Sequence, residues 1–335
     1  MQAPQKLILT NFQAPGDILM LTAAVRDLHR CYPNRFLTDV RTSCPELWLH
    51  NPYLTSIHLD DPLARIVHCH YPLVQLSNER PVHFLHGFIE YLNEQLGLQI
   101  KPTVFGGDIH LSEAEKTNAS PIQRLTGTSV PYWVIVAGGK YDFTIKWWHF
   151  RRWQAVVDHF RGKILFVQVG KADDYHPPLK NVVDLRDKTG LRDMVGLIYR
   201  AQGVLCPITF LMHLAAAVEC SDPRLKARPC VVVAGGRESP HWEAYPAHQF
   251  IHTVGALPCC AAAGCWRSRI VPIGDGDEKD RPEHLCVDVH NGLPRCMHMI
   301  TPEHVCERVR YYFEGNQAAW LDDGIWDRIF AGQNK

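Results

Sequence analysis

Five of the twelve cysteines in this 335-residue chain fall in one stretch: Cys259, Cys260, Cys265, Cys286 and Cys296. The same stretch holds Gly264, Gly274, Gly276, Pro272, Pro282, Pro294 and an acidic run from Asp275 to Asp280. It has few apolar residues with which to build a core. A metal bound by thiolates would hold its shape, because coordination energy then replaces burial. Reduced thiols scattered in a loop are the alternative. The spacing assigns four ligands, Cys260, Cys265, Cys286 and Cys296, with Cys259 as the spare if neighbouring side chains of an extended segment point opposite ways. Exchanging Cys259 for Cys260 gives an equally good set. Four thiolates in tetrahedral array suit zinc or iron, and zinc is the commoner structural ion.

Other chemistry-bearing residues stand where predicted strands end. The first strand runs into Asn11-Phe12-Gln13-Ala14-Pro15-Gly16-Asp17. Pro15 and Gly16 form a tight turn, and Asp17 falls near a helix N-terminus, at the strand edge where open α/β sheets bind ligands. Asp17 reads both as an N-terminal cap and as a catalytic carboxylate. Farther on, Gly138-Gly139-Lys140 follows a strand, with Lys146-Trp147-Trp148 just beyond. Glycines there admit a phosphate and a lysine neutralises it, against the plainer reading of a solvated loop. A third strand leads into Thr209, Phe210 and Leu211, where free helix N–H groups favour an anion, with His213 one turn in. This is also compatible with an ordinary cap and a packed histidine. A fourth ends in Gly235-Gly236-Arg237-Glu238. Arg237 suits phosphate or sugar and Glu238 a hydroxyl. Asp173 and Asp174 are candidates to hold a ribose.

The elements that must carry these residues alternate. Strands are expected over Lys6–Asn11, Phe36–Arg41 and Arg65–His70, with helices over Asp17–Arg30 and His83–Leu96. The polar segment 112–131, with Pro121 and Gly127, reads as a helix and linker. A second unit has strands over Tyr132–Ala137, Lys163–Val169, Gly203–Cys206 and Cys230–Ala234. Its helices cover Trp153–Phe160, Leu191–Tyr199, Phe210–Val218 and Pro302–Phe313. Leu191, Met194, Val195 and Ile198 make an i, i+3, i+4, i+7 stripe. The pattern is that of two Rossmann-like α/β domains facing each other across a cleft. Domains over residues 1–125 and 126–335 are expected, the second including a cysteine-rich finger over 256–300.

Composition narrows the classes. Lysine plus arginine equals aspartate plus glutamate, for a formal net charge of zero, so bulk charge offers nothing to nucleic acid. The chain opens directly on a strand-like run, without a charged region and a long apolar segment, so a secretory signal is not expected. No membrane span is expected either. Twelve cysteines then suggest a reducing cytoplasmic setting. The dinucleotide fingerprint is missing from the first unit, which disfavours a nicotinamide oxidoreductase.

With those residues in place, the chain resembles the ADP-heptose glycosyltransferases of carbohydrate-active family nine, which include the lipopolysaccharide heptosyltransferases. The Pro15-Gly16-Asp17 turn, the Lys146-Trp147 pair and the Thr209-x-x-x-His213-Leu214-Ala215 helix start carry the likeness, in order and spacing. NFQAPGDILMLTAAVRDLH, FLMHLAAAVE, VVVAGGRESPHWEAYP and LPCCAAAGCW look most like the bacterial autotransporter heptosyltransferases. Those enzymes attach heptose to serines of an adhesin and carry an iron-binding cysteine finger. The resemblance implies a GT-B fold with an N-terminal acceptor domain and a C-terminal ADP-heptose domain. It implies Asp17 as base, Lys146 on the diphosphate, and Thr209, Phe210 and Leu211 on phosphate. His213, Gly235, Gly236 and Arg237 complete the expected nucleotide-sugar site. It favours structural iron over zinc, a homo-oligomer, and inverting transfer in one displacement. Isoleucine-threonine-phenylalanine at 208–210 departs from the Asp-Thr-Gly usual in the lipopolysaccharide enzymes and suggests a differently shaped sugar pocket. The extra N-terminal residues of the autotransporter enzymes are not seen ahead of the first strand.

No catalytic divalent metal is expected where lysine and helix amides stabilise the departing diphosphate. A carboxylate in such a cleft can have its pKa raised by desolvation, as a base requires. The leading expectation is therefore transfer of heptose from ADP-heptose to an adhesin serine. Lipopolysaccharide core or a small glycoside is the alternative acceptor. A non-catalytic nucleotide-binding assembly module is the alternative of a different class.

Overall fold

A computed structural model describes residues 3–70 and 76–331. Strand β1 (Gln5–Asn11), helix α1 (Pro15–Cys31), β2 (Phe36–Thr42), β3 (Ala64–His68) and α2 (Phe84–Leu96) form the first unit. Its three strands are parallel in the order β2-β1-β3. Neighbours on opposite sides of β1 arise on different passes of the chain, so a crevice opens at the carboxyl end of β1. The short helices α3 (Glu113–Thr117) and α4 (Pro121–Thr126) occupy the expected linker.

The second unit contains β4 (Trp133–Ile135), α5 (Phe150–His159), β5 (Phe166–Gln168), β6 (Val183–Asp184), α6 (Leu191–Arg200), β7 (Gly203–Pro207), α7 (Phe210–Ala217), β8 (Cys230–Gly235), α8 (Pro240–Glu243) and β9 (His248–His252). The six strands are parallel, in the order β6-β5-β4-β7-β8-β9. The order reverses between β4 and β7, the switch point of a doubly wound sheet. A small antiparallel pair follows, β10 (Val289–His290) and β11 (Leu293–Pro294), then α9 (Arg295–His298), α10 (Pro302–Glu314) and α11 (Ile325–Phe330).

Strand side chains alternate between two cores, as a sheet covered on both faces demands. Trp133, Ile135, Leu205, Val231 and Val233 face α5 and α10, joined by Trp148, Trp153 and Tyr312. Val134, Val204 and Val232 face the other way, into a core that continues without a break into the first unit through Leu7, Leu9, Phe84 and Phe88. Helix α1 is buried along its length from Ile18 to Leu28, because its second face is covered as well. Gly106 and Gly107 are threaded there: a Cβ on Gly107 would lie 2.4 Å from Leu19 Cδ2 and 2.9 Å from Ala217 Cβ. The buried Arg26 donates to the carbonyls of Val104 and Gly106 and pairs with Asp27. Thus the connecting loop ties α1 to α7.

Helix α7 is held at its far end by Arg228. That buried guanidinium donates to the carbonyls of Ala201, Ala215, Val218 and Glu219, oxygens that helix ends leave without intrahelical partners. The expected strands and long helices are present with end shifts of a few residues. Sequence periodicity missed β6, β9, the β10–β11 pair and the short helices α8, α9 and α11. The segment Pro258–Cys260 is a tight 3-10 turn rather than extended, so alternation of extended side chains does not separate Cys259 from Cys260. Among the described residues no helix is long and apolar enough to cross a membrane.

Candidate active site

Asp17 sits in the first turn of α1, and its Oδ2 accepts from the Ala14 N–H at 2.9 Å. Asp17 is therefore not the N-cap itself, which is Ala14; it stands at the third helical position and its carboxylate reaches back to the cap's N–H. The same carboxylate also acts electrostatically on Lys146 of the second unit, favouring its charged form. The two residues the sequence singles out on separate units are thus close enough to interact electrostatically. The loop before Asp17 is pinned on both sides: Gln13 N donates to Asn11 Oδ1, Asn11 Nδ2 to Gln13 Oε1 and the Cys69 carbonyl, and Ser43 Oγ to the Gln13 carbonyl.

Lys146 ends a short turn over Tyr141–Lys146. Its Nζ lies 3.0 Å from Glu238 Oε1 and 5.5 Å from the Phe143 ring centre. Burial, then the neighbouring Arg237 charge, lowers its pKa to about 7, against the pull of Glu243 and Asp17. Arg237 Nη1 takes the same Glu238 carboxylate oxygen. Glu238 Oε2 is buried and makes no hydrogen bond among the described residues. Arg237 lies between the Phe143 and Trp266 rings and donates from Nε to the Arg267 carbonyl at 2.7 Å.

Thr209 caps α7 with an extended backbone, its Oγ1 accepting from Leu211 N at 3.3 Å. Phe210 begins the helix, and Leu211 is buried beneath it. His213 is buried too. Its Nδ1 lies 2.8 Å from the Tyr245 hydroxyl and its Nε2 3.2 Å from Glu243 Oε2. A Cβ on Gly16 would stand 3.6 Å from the His213 ring, so the α1 turn and α7 are in near contact. Burial alone would raise the Glu243 carboxyl; the charge and hydrogen bond of His213, followed by Lys146 and His83, reverse this and lower it. His83 of the first unit is the N-cap of α2, and burial lowers its pKa to about 3.

Gly235 and Gly236 lie where β8 ends, and their missing side chains admit sulfur. Gly235 has φ +68°, and a Cβ there would lie 2.4 Å from Met297 Sδ; one on Gly236 would lie 3.0 Å from Cys260 Sγ and 3.3 Å from Cys296 Cβ. Cys265 N donates to the Gly236 carbonyl and Trp266 N to that of Arg237. The cysteine segment therefore packs directly against the strand end beside Arg237. It also reaches the first unit. Asn78 donates to the Gly264 carbonyl at 3.0 Å and accepts from Trp266 Nε1 at 2.9 Å, while Phe84 stacks on Trp242 with centres 5.2 Å apart. Gly138 meets Tyr175 in the same close manner: a Cβ would fall 1.7 Å from the Tyr175 carbonyl oxygen. Asp173 and Asp174 stand in the turn leading to Tyr175.

All twelve cysteines are thiols. Burial chiefly raises Cys296, to about 12, and Cys265 and Cys286 add to the rise. Cys265 is raised by burial, with Cys260 and Cys286 contributing, and Cys259 by burial, Cys260 and Cys265. The thiols influence one another electrostatically, yet among the described residues no group of three or more His, Cys, Asp or Glu is arranged to hold a metal ion. These side-chain positions do not form the coordination shell expected of a closed site. By ligand type alone, four thiols would suit zinc or iron.

Sequence reasoning missed Glu243, Tyr245, His83, Asn78 and Trp266. The run His241-Trp242-Glu243-Ala244-Tyr245 held the signal: four side chains able to make polar or stacking contacts directly after a glycine-rich strand end.

Known structures share this architecture. A family 9 glycosyl transferase from Veillonella parvula superposes with a TM-score of 0.56 at 14% identity, over 76% of this chain and 87% of that one. TibC, an iron-containing dodecameric glycosyltransferase from enterotoxigenic Escherichia coli, gives 0.62 at 17% identity, over 94% of this chain and 78% of its own. The E. coli ADP-heptose lipopolysaccharide heptosyltransferase II gives 0.57 at 15% identity, over 93% and 100%. No family model matches the sequence, and a search of curated proteins gives no match. The fold is thus that of the GT-B glycosyltransferases, a mixed α/β architecture with parallel sheets.

Proposed function

We propose that this chain is an inverting heptosyltransferase that moves heptose from ADP-heptose to a hydroxyl acceptor, a serine of an autotransporter adhesin. The observation carrying the reading is the approach of the Asp17 turn to the start of α7: a Cβ on Gly16 would stand 3.6 Å from the His213 ring, which sets the carboxylate of one unit beside the predicted phosphate site of the other. Residues 1–125 then seat the acceptor and residues 126–335 the donor. Lys146, the capped start of α7 at Thr209, Phe210 and Leu211, and Arg237 hold the diphosphate, and His213 braces the helix start. Gly235 and Gly236 keep the strand end close to that site.

In the transfer, the acceptor oxygen attacks the anomeric carbon while the bond from that carbon to the β-phosphate oxygen breaks. The bonding electrons leave with ADP. Asp17 takes the acceptor proton, and Lys146 with the α7 amides stabilises the charge growing on the diphosphate. A structural iron, with zinc as the alternative, would be held by Cys260, Cys265, Cys286 and Cys296, or by Cys259 in place of Cys260. It would fix the segment that joins Gly236 to Asn78. Five cysteines within residues 259–296 and an iron-containing protein of the same fold support this. Assembly into a homo-oligomer and a cytoplasmic location belong to the same reading.

The test incubates the protein with ADP-heptose and a purified adhesin passenger domain and reads intact mass. Asp17→Asn should abolish the mass increase while leaving ADP binding, measured by calorimetry, near that of wild type. Wild-type turnover in Asp17→Asn removes the carboxylate from the mechanism.

A further inference from the structure

The acidic run 275–280 is occupied from within. The side chain of Arg269 is fully buried, and its guanidinium meets carboxylates of that run. Nη1 and Nη2 donate to Asp275 at 2.8 and 2.7 Å, and Nη1 donates to Asp280 at 2.5 Å. Asp280 in turn accepts from the backbone N–H groups of Ile273 and Gly274, and Asp275 from that of Asp277. A planar guanidinium shared by two carboxylates fixes both in direction as well as distance. The loop thus closes on an arginine, through contacts that involve none of the thiols.

The loop closes against the turn that carries Lys146. That turn is not a continuous helix, because Phe143 breaks its backbone at φ −131°, ψ 54°. It is held from outside by hydrogen bonds on either side of Arg269. Ile145 N donates to the Ser268 carbonyl at 3.2 Å, and Ile270 N donates to Thr144 Oγ1 at 2.9 Å. Arg269 Nη2 also lies 3.9 Å from Asp142 Oδ1 in the same turn. The backbone of the arginine is itself fixed: its N–H donates to the His284 carbonyl at 3.1 Å, and its carbonyl accepts from Cys286 N at 2.8 Å. Lys279, next to Asp280, stands 6.0 Å from the centre of the Phe143 ring, which also faces Lys146 and Arg237. These contacts fall on residues 142–145, directly before Lys146.

We propose that Arg269 is a positioning residue for Lys146: paired with Asp275 and Asp280, it braces the turn that presents the lysine to the donor diphosphate. This rests on the transferase reading above and gives the cysteine segment a part in donor binding. The experiment titrates ADP calorimetrically into wild type, Arg269→Ala, Arg269→Lys and Asp280→Asn. It repeats the Arg269→Ala and Asp280→Asn titrations in a Lys146→Ala background. Arg269→Ala should weaken ADP binding about tenfold and Asp280→Asn about threefold, the coupling expected of groups that share a contact. Arg269→Lys should recover part of the loss, since it keeps the charge without the fork. With Lys146 absent, the same substitutions should change affinity by less than about twofold. Asp280→Asn leaves the guanidinium paired with Asp275 and should still fold, which keeps the test open where Arg269→Ala does not. Unchanged ADP affinity in folded Asp280→Asn overturns the brace. So does an equal loss with and without Lys146, the mark of a merely structural role. Failure of wild type to bind ADP overturns the transferase reading itself, and the first titration reveals it before any variant is measured.

Discussion

If Lys146 meets the diphosphate, nucleotide binding must take up a proton at alkaline pH. Burial and Arg237 hold the free lysine near 7. A group lowered in this way is charged below that value and neutral above it. At pH 8 only about a tenth of the free protein carries the proton, from the ordinary titration relation. A bound diphosphate favours the ammonium form and returns the pKa toward its normal range. Binding at pH 8 should therefore take up about 0.9 proton, and affinity should fall up to tenfold per unit as pH rises above 7. The terminal phosphate of ADP, with a pKa near 6, is already ionised in that window. Calorimetry of ADP binding at pH 8 in buffers of different ionisation enthalpy measures the uptake directly. Lys146→Arg keeps its charge and should bind with no uptake; Lys146→Ala should lose roughly 1.5–3 kcal/mol and the pH dependence together. Zero proton uptake in wild type, or a flat affinity between pH 7.5 and 9, would refute the reasoning.

Gly235→Ala should destabilise the fold by roughly 1–3 kcal/mol, since it joins a left-handed backbone to a contact with Met297; chemical denaturation tests this, and an unchanged midpoint contradicts it. Below pH 6.5 stability should decline, because burial holds His83 and His248 near 3 and the unfolded chain binds protons that the folded chain refuses. Each histidine contributes about 1.4 kcal/mol per pH unit across that window, so melting scans of wild type and a His83→Gln, His248→Gln double variant should diverge between pH 6.5 and 5. Purified protein should contain one metal per chain, and Cys265→Ser with Cys286→Ser should remove it and alter sedimentation. Metal-free wild type rules out the finger, and a variant of unchanged metal content and assembly rules out the ligand set.

The long amphipathic helices and buried strands were legible because their periodicity is local. Leu191, Met194, Val195 and Ile198 announce α6, and Cys230–Ala234 reads as a covered strand from its unbroken apolar run. β9 was not legible. Its sequence, His248 to His252, mixes histidine and glutamine with two apolar residues, as an edge strand of intermediate burial allows. The candidate site residues are visible singly, but their partners are not. Nothing local pairs Lys146 with Glu238, or His213 with Glu243, since those contacts depend on which loops the topology brings to one sheet edge. Gly235 and Gly236 show the limit most clearly. A missing Cβ announces a close approach without naming what approaches, and here the nearest groups are Cys260, Cys296 and Met297.

The bracket formed by Asn78 around Gly264 and Trp266 has a consequence for how the molecule is made. Its partners are 188 residues apart in Asn78 and Trp266. At a ribosomal rate of about 5–20 residues per second, roughly 10–40 seconds separate their synthesis. For most of that interval Phe84 also waits for Trp242. The nascent first unit thus emerges with aromatic surface that its own sequence cannot cover, a natural point for a chaperone to hold it. Slowing translation between the two units should lengthen that exposure. Soluble yield should then fall without any change in the finished protein.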